Sequence, residues 1–412
     1  MRLRNYALVT AGYWAFTLTD GALRMLVLLH FHELGYSPVA IAFLFLAYEL
    51  MGIVTNLLGG WVGSRTGLNR TLVAGLGLQI VALVALTFTE PGWATWVTVT
   101  YVMAAQALSG IAKDLTKMSS KSAVKAVAGD GGLFTLVALL TGSKNALKGI
   151  GFFLGAALLS SLGYDESLIA MAVMLAVTIV LLVVLLDEDI GKAKKKAPLR
   201  SVLSKSSAIN RLSLARFFLF GSRDIWFVVA LPVFLHEQLD WSNYGIGAFL
   251  AAWTIGYGAV QSVAPRLLRR RGRELDEIRA AQQWALLLAG VSAAIAVAVA
   301  GEWAVTVAVV GGLVVFGVVF AVNSSLHSYL VLAYSDDDQV ALDVGFYYSA
   351  NAAGRLVGTL LSGVLYLWGG LAAALWGSAA FVAVTFLCTL RLPAIPDAVA
   401  QRARSTASAG SE

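Results

Sequence analysis

Residues 19–52 read TDGALRMLVLLHFHELGYSPVAIAFLFLAYELMG, and residues 223–256 read RDIWFVVALPVFLHEQLDWSNYGIGAFLAAWTIG. At a constant offset of 204 residues, Asp20 meets Asp224, His32-Glu33 meets His236-Glu237, and Gly52 meets Gly256. Asp, His and Glu are uncommon in this chain, so chance explains the match poorly. Each copy is an apolar run, a short polar break and a second apolar run. Runs of about 20 apolar residues span the hydrocarbon core of a bilayer. The two stretches therefore read as two copies of a membrane hairpin in a doubled chain.

Further apolar runs extend the pattern from Tyr6 to Leu390. They predict an all-α integral membrane protein of 12 transmembrane helices, near 6–31, 38–62, 71–89, 94–117, 133–161, 166–186, 208–235, 243–266, 280–300, 303–333, 343–367 and 371–391. Composition agrees, with 58% hydrophobic and 13% charged residues in 412, and 40 glycines for close helix packing. Met1-Arg2-Leu3-Arg4 leads straight into the first span, so no cleavable signal peptide is expected.

Loop charge sets the orientation. Arg65 and Arg70, Lys121 and Lys125, the run Lys192 to Lys205, and Arg269 to Arg273 all fall in even-numbered gaps. The odd-numbered gaps 31–37, 89–93, 163–165 and 236–242 hold no Lys or Arg, which puts both termini in the cytoplasm. The tenth gap is the exception, being acidic at Asp336, Asp337 and Asp338. The net charge of +6 thus reads as topology rather than nucleic-acid binding. The expected organisation is an N-terminal six-helix half (1–186), a basic cytoplasmic linker (187–207), a C-terminal six-helix half (208–391) and a disordered cytoplasmic tail (392–412). Spans 5 and 11 also match, through Asn145-Ala146 and Asn351-Ala352 and through Gly151/Gly155 and Gly354/Gly358. Six plus six spans in parallel repeats is the major facilitator architecture, with a site near the midplane between the halves.

Charges inside the spans mark the candidate site, because they are expensive at that depth. The midplane cations are Arg24, Lys144, Lys148, Arg223 and Arg355, and the carboxylates are Asp20, Glu49 and Asp224. Five cations face three carboxylates, an excess that an anionic solute with two charged ends would balance. Asp20 and Arg24 share a face of helix 1, either as a structural ion pair or with Arg24 on substrate and Asp20 holding it or carrying a proton. Glu49 and Asp224 are proton-coupling candidates, and each could equally be a counter-ion. Arg355 either pairs with Glu49 or binds substrate. Lys144 and Lys148 share a face of helix 5 and read as substrate contacts. Lys113, Lys117 and Lys121 form a stripe at the cytoplasmic end of helix 4, snorkelling to headgroups or lining an entrance. Arg216 reads as a cytoplasmic entrance charge, and Asn323 with Ser324, Ser325 and His327 as cavity lining. His32 and His236 lie near the outer surface without metal-site spacing. Cys388 is the only cysteine, which excludes a disulfide and thiolate handling of a soft metal. No nucleophile motif, metal cluster or nucleotide loop points to an enzyme, a metal site or a cofactor, and active transport would need an ion gradient or exchange.

Gly60-Trp61-Val62-Gly63-Ser64-Arg65-Thr66-Gly67 and Arg70 resemble the major facilitator signature between helices 2 and 3, with Ser64 in place of the usual Asp. Gln106 stands where the helix 4 signature carries Arg, and span 5 lacks the Gly-Pro of the antiporter signature. The blocks YWAFTLTDGALRMLVLLHFHELGYSP (13–38), LSGIAKDLTKMSSKSAVK (108–125), LLTGSKNALKGIGFFLG (139–155) and FLFGSRDIWFVVALPVFL (218–235) are more specific. Together they resemble the organoarsenical efflux permeases of bacterial arsenic operons, the ArsJ family. That resemblance implies export of 1-arseno-3-phosphoglycerate, an anion made when glyceraldehyde-3-phosphate dehydrogenase uses arsenate in place of phosphate. It implies arsenate resistance, a location in the bacterial inner membrane, and the dehydrogenase as functional partner without direct contact. Facilitators that exchange phosphate esters carry one arginine on each of helices 1 and 7, and Arg24 with Arg223 resembles that arrangement. Another phosphate ester or organic anion remains the alternative cargo.

Overall fold

The computed structural model describes residues 2–66, 68–90, 92–127, 133–186, 206–268, 276–335 and 340–394, and every regular element in them is a helix. The first group comprises α1 (Arg2–Glu33), α2 (Pro38–Thr66), α3 (Leu68–Leu86), α4 (Thr95–Val127), α5 (Leu133–Leu162) and α6 (Tyr164–Leu185). The second comprises α7 (Ser207–Phe227), α8 (Ala230–Glu237), α9 (Asn243–Leu268), α10 (Glu277–Ala300), α11 (Val305–Tyr334) and α12 (Val340–Thr389). Most of the linker 187–207, the basic run 269–273, the acidic cluster 336–338 and the tail beyond 394 lie outside the described residues, as do the side chains of the signature-like stretch 60–67 and of Lys121 and Lys125.

A helix satisfies its own backbone hydrogen bonds, so in lipid it requires only an apolar surface. α6 shows this surface directly, turning Val173, Val177, Val180, Val183 and Val184 outward. Eight helical stretches among the described residues are long and apolar enough to cross a membrane. α1 and α4, at 32 and 33 residues, are also long enough, but bury polar side chains such as Thr17, Asp20, Gln106 and Asp114.

Two breaks have local causes. Pro232 lacks an N–H and crowds the carbonyl four residues back, and the helix interrupts between α7 and α8. The backbone N–H groups of Val229 and Ala230 donate instead to Ser362 Oγ at 3.1 and 3.0 Å. α12 bends at Gly369–Gly370, where Gly370 takes φ 61°, a left-handed value that favours glycine. Its arms 340–368 and 371–389 pack together, since a Cβ on Gly377 would meet Leu365 at 2.5 Å. α7 with α8 thus occupies the seventh expected span, and the arms of α12 the eleventh and twelfth.

Small residues set the closest crossings. A Cβ on Gly151 would lie 2.5 Å from Leu18 O, and one on Gly155 would strike Ala22 O, so α5 lies tight on α1. The second group repeats this, with Gly354 against Phe217 O and Gly358 2.5 Å from Gly221 O, where α12 crosses α7. The two groups meet along α2 with α12, where Gly363 abuts Pro38 O, and along α5 with α9, where a Cβ on Gly149 would lie 2.8 Å from Ala251 O. They also meet at the ends of α1 and α8. There the His32 and His236 rings are 5.1 Å apart, and Asn243 Nδ2 donates to Glu33 Oε1 at 2.6 Å.

Candidate functional site

The intramembrane charges converge where α1, α2, α7 and α12 meet. Arg24 Nη2 donates to Glu49 Oε1 at 2.6 Å, and Arg355 Nη2 donates to the same oxygen at 2.6 Å. Arg355 Nε also donates to Asp224 Oδ2 at 3.0 Å, and Arg223 Nε donates to Asp224 Oδ1 at 2.7 Å. The result is one chain of alternating charge, Arg24–Glu49–Arg355–Asp224–Arg223, running from the first helix group into the second. Arg355 is its centre, with one carboxylate from each group. Glu49 and Asp224 are fully buried, and Glu49 Oε2 has no hydrogen-bond partner.

Beside this chain lies a cavity of about 190 Å³, on the side toward the helix ends that carry the basic loops. α1 contributes Tyr13, Thr17 and Asp20, and α2 contributes Glu49 and Asn56. Lys113, Asp114 and Lys117 come from α4, and Lys144 and Lys148 from α5. The first arm of α12 closes it with Tyr348, Asn351 and Arg355. The sequence accounts for this convergence: Lys113 and Lys117 are four apart on α4, as are Lys144 and Lys148 on α5, so each pair shares one face.

The lysines differ in their surroundings. Lys117 Nζ reaches Asn56 Oδ1 at 3.0 Å and Asp114 Oδ1 at 3.4 Å, and Thr55 donates to the other oxygen of Asp114. Lys113 and Lys148 have no carboxylate within 4 Å among the described residues. Lys113 Nζ lies 3.9 Å from the centroid of the Tyr48 ring, and Lys148 Nζ 5.7 Å from that of Phe152. Tyr48 donates in turn to Asp20 Oδ1 at 2.6 Å. The chain and cavity together hold seven cations and four carboxylates. Buried charge in excess of its partners is costly and favours an incoming anion.

The expected site residues therefore separate. Arg24, Glu49, Arg355, Asp224 and Arg223 are linked directly, and Asp20, Lys113, Lys117, Lys144 and Lys148 join Glu49 and Arg355 around the cavity. Arg223 lies off the cavity, against Asp224 and the rings of Phe220 and Phe320. Arg216 is buried inside the second helix group, donating to Ser324 O and Oγ at 3.2 Å. Asn323 is buried there too, 3.5 Å from Ala281 O. His32 and His236 are neighbours, but no group of His, Cys, Asp and Glu suited to a metal ion occurs among the described residues. Sequence reasoning missed Tyr48, Asn56 and Asp114. Asp114 carried a usable signal, as an acidic residue beside Lys113 in a membrane helix.

The chain matches the model of the Major Facilitator Superfamily over residues 9–281. No curated protein matches its sequence. Among solved structures, the human organic anion transporter MFSD10 superposes with a TM-score of 0.66 at 18% identity, over 94% of this chain and 99% of that one. A bacterial homologue of the iron transporter ferroportin, in an inward-facing state, gives 0.69 at 17% over 95% and 98%. The nucleoside transporter NupG gives 0.70 at 15% over 95% and 99%. At these identities the likeness is one of fold.

Proposed function

Because the chain belongs to the Major Facilitator Superfamily, whose members move small molecules across lipid bilayers by secondary active transport, we propose that it exports a phosphate ester with two anionic ends, 1-arseno-3-phosphoglycerate. The observation that carries the anionic cargo is the cavity in which Lys113 and Lys148 have no carboxylate within 4 Å among the described residues, beside the Arg355 guanidinium. Guanidinium forks and lysine ammoniums suit phosphate and arsenate oxygens. The choice of arseno-ester rests on the four sequence blocks that resemble the organoarsenical permeases.

In this reading there are twelve crossings, with the arms of α12 counted separately, and both termini are cytoplasmic. The cavity then opens toward the cytoplasm, and the α1–α8 contact closes the far side. Cytoplasmic glyceraldehyde-3-phosphate dehydrogenase supplies the cargo. An oxyanion entering the cavity competes with Glu49 and Asp224 for Arg355. Loosening that bridge gives the cargo a different free energy in the two states, which ligand-driven switching requires. The unpartnered Oε2 of Glu49 is where a coupling proton would bind.

The test is arsenate resistance in a sensitive bacterium of the inner-membrane type, expressing the permease with and without the dehydrogenase. Resistance is expected only with both, and no protection against arsenite. Equal resistance in both strains would sink the arseno-ester and leave another phosphate ester or organic anion as the cargo.

A further inference from the structure

The second helix group holds a polar cluster that does not line the lysine cavity. Arg216 on α7 is only 3% exposed, and its guanidinium lies 3.8 Å from the centroid of the Phe220 ring and 5.0 Å from that of Tyr347. No carboxylate lies within 4 Å of it among the described residues, and its Nε has no partner. His327 on α11 is fully buried one helical turn beyond Ser324, close enough to Arg216 to feel its charge, and neither ring nitrogen has a partner.

The hydrogen-bond inventory is unbalanced. Arg216 Nη1, Tyr257 OH and Gln261 Nε2 all converge on Ser324 Oγ, at 3.2, 3.4 and 3.3 Å. A hydroxyl oxygen has two acceptor lone pairs for these three donors. Three donors therefore crowd one hydroxyl oxygen, and one full positive charge has no carboxylate beside it among the described residues. A water molecule would add lone pairs but leave the charge; a single anion supplies both needs.

We propose that the Arg216–His327 cluster is a second anion site, which takes one monovalent negative charge. That charge is either a free chloride ion or one carboxylate of the transported solute. The carboxylate form rests on the alternative cargo, an organic acid, because the arseno-ester has its carboxyl bonded to arsenate; the chloride form rests on neither.

The experiment follows the unfolding temperature of the full chain in lipid nanodiscs by tryptophan fluorescence. Chloride or acetate is titrated separately, with ionic strength held constant by a bulky sulfonate. A saturable rise is expected with at least one of them: chloride alone means a free ion, and acetate alone a solute carboxylate. Arg216→Gln is expected to abolish the rise and, in anion-free buffer, to unfold no lower than wild type. His327→Leu is expected to weaken the apparent affinity about tenfold. No saturable rise in wild type overturns the proposal, as does an unchanged midpoint in His327→Leu. A lower unfolding temperature of anion-free Arg216→Gln would make the guanidinium a structural donor and overturn it too. A rise kept in Arg216→Gln but lost in Lys148→Gln would place the anion in the lysine cavity instead, leaving the proposed transport reading intact.

Discussion

Lys113 and Lys148 lie beside aromatic rings and, unlike Arg24, Lys117, Arg223 and Arg355, have no carboxylate within 4 Å among the described residues. Neutralising either therefore breaks no close ion pair among the described residues. Lys148→Gln and Lys113→Gln should each leave the unfolding temperature unchanged or raised, while weakening binding of a phosphorylated anion about ten- to a hundredfold. Ligand binding and thermal unfolding of the same purified variants check both halves of this expectation. Unchanged affinity in both would move the anion elsewhere. Arg355 should behave in the opposite way. Arg355→Gln breaks one charged contact to Glu49 and one to Asp224, which keep Arg24 and Arg223, and should cost about 2–3 kcal/mol of stability. Arg355→Gln combined with Glu49→Gln should cost less than the two single losses added together, because the contact between them is broken only once. Losses that simply add would show that the two side chains are not coupled. The residue types at the centre were readable from their cost in lipid, but their partners were not. Arg24 and Glu49 sit on different helices, and Arg355 lies some three hundred positions from Glu49, so only the packed chain shows that one guanidinium serves two carboxylates.

At the scale of elements, glycine contacts decide which substitutions the bundle tolerates. A side chain at Gly155 would enter the Ala22 carbonyl, and one at Gly354 the Phe217 carbonyl. Backbone cannot yield as a flexible side chain can, so Gly155→Val and Gly354→Val should each force a helix pair apart and sharply reduce the yield of folded protein. Gly256 has open space around its would-be Cβ, and Gly256→Ala should be neutral or stabilising by up to about 1 kcal/mol. Size-exclusion profiles and unfolding temperatures of the three proteins distinguish the cases; a well-folded Gly354→Val would contradict the close crossing. The positions of the helices were largely legible in the sequence, because apolar runs of membrane length have few alternatives. The repeat of Gly151/Gly155 in Gly354/Gly358 even marked the equivalent crossings. The interruption before Pro232, repaired by Ser362, was not legible, since the repair comes from a helix far along the chain. The split of the charged residues between cavity and bundle interior was equally hidden: Arg216 looked like an entrance charge until α11 and α12 were seen to enclose it.

Among the described residues the lysine-lined cavity lies toward one end of the helices and a closed contact at the other. Asn243 Nδ2 and Glu33 Oε1 are 2.6 Å apart across that contact. With Cys388 replaced by Ser, Glu33→Cys and Asn243→Cys together should form a disulfide under oxidation that holds the two helix groups closed there. Transport should stop on oxidation and return on reduction; transport through the oxidised protein would mean that this end does not open. The central claim, that the lysine-lined cavity serves a phosphorylated organoarsenical, has a more direct test. Inverted membrane vesicles containing the permease are supplied with glyceraldehyde-3-phosphate, arsenate, NAD and the dehydrogenase, and arsenic inside the vesicles is measured. The account predicts accumulation that requires the permease and every component of the enzyme mixture, and that falls about tenfold or more with Lys148→Gln. Accumulation equal to that of vesicles lacking the permease would contradict it.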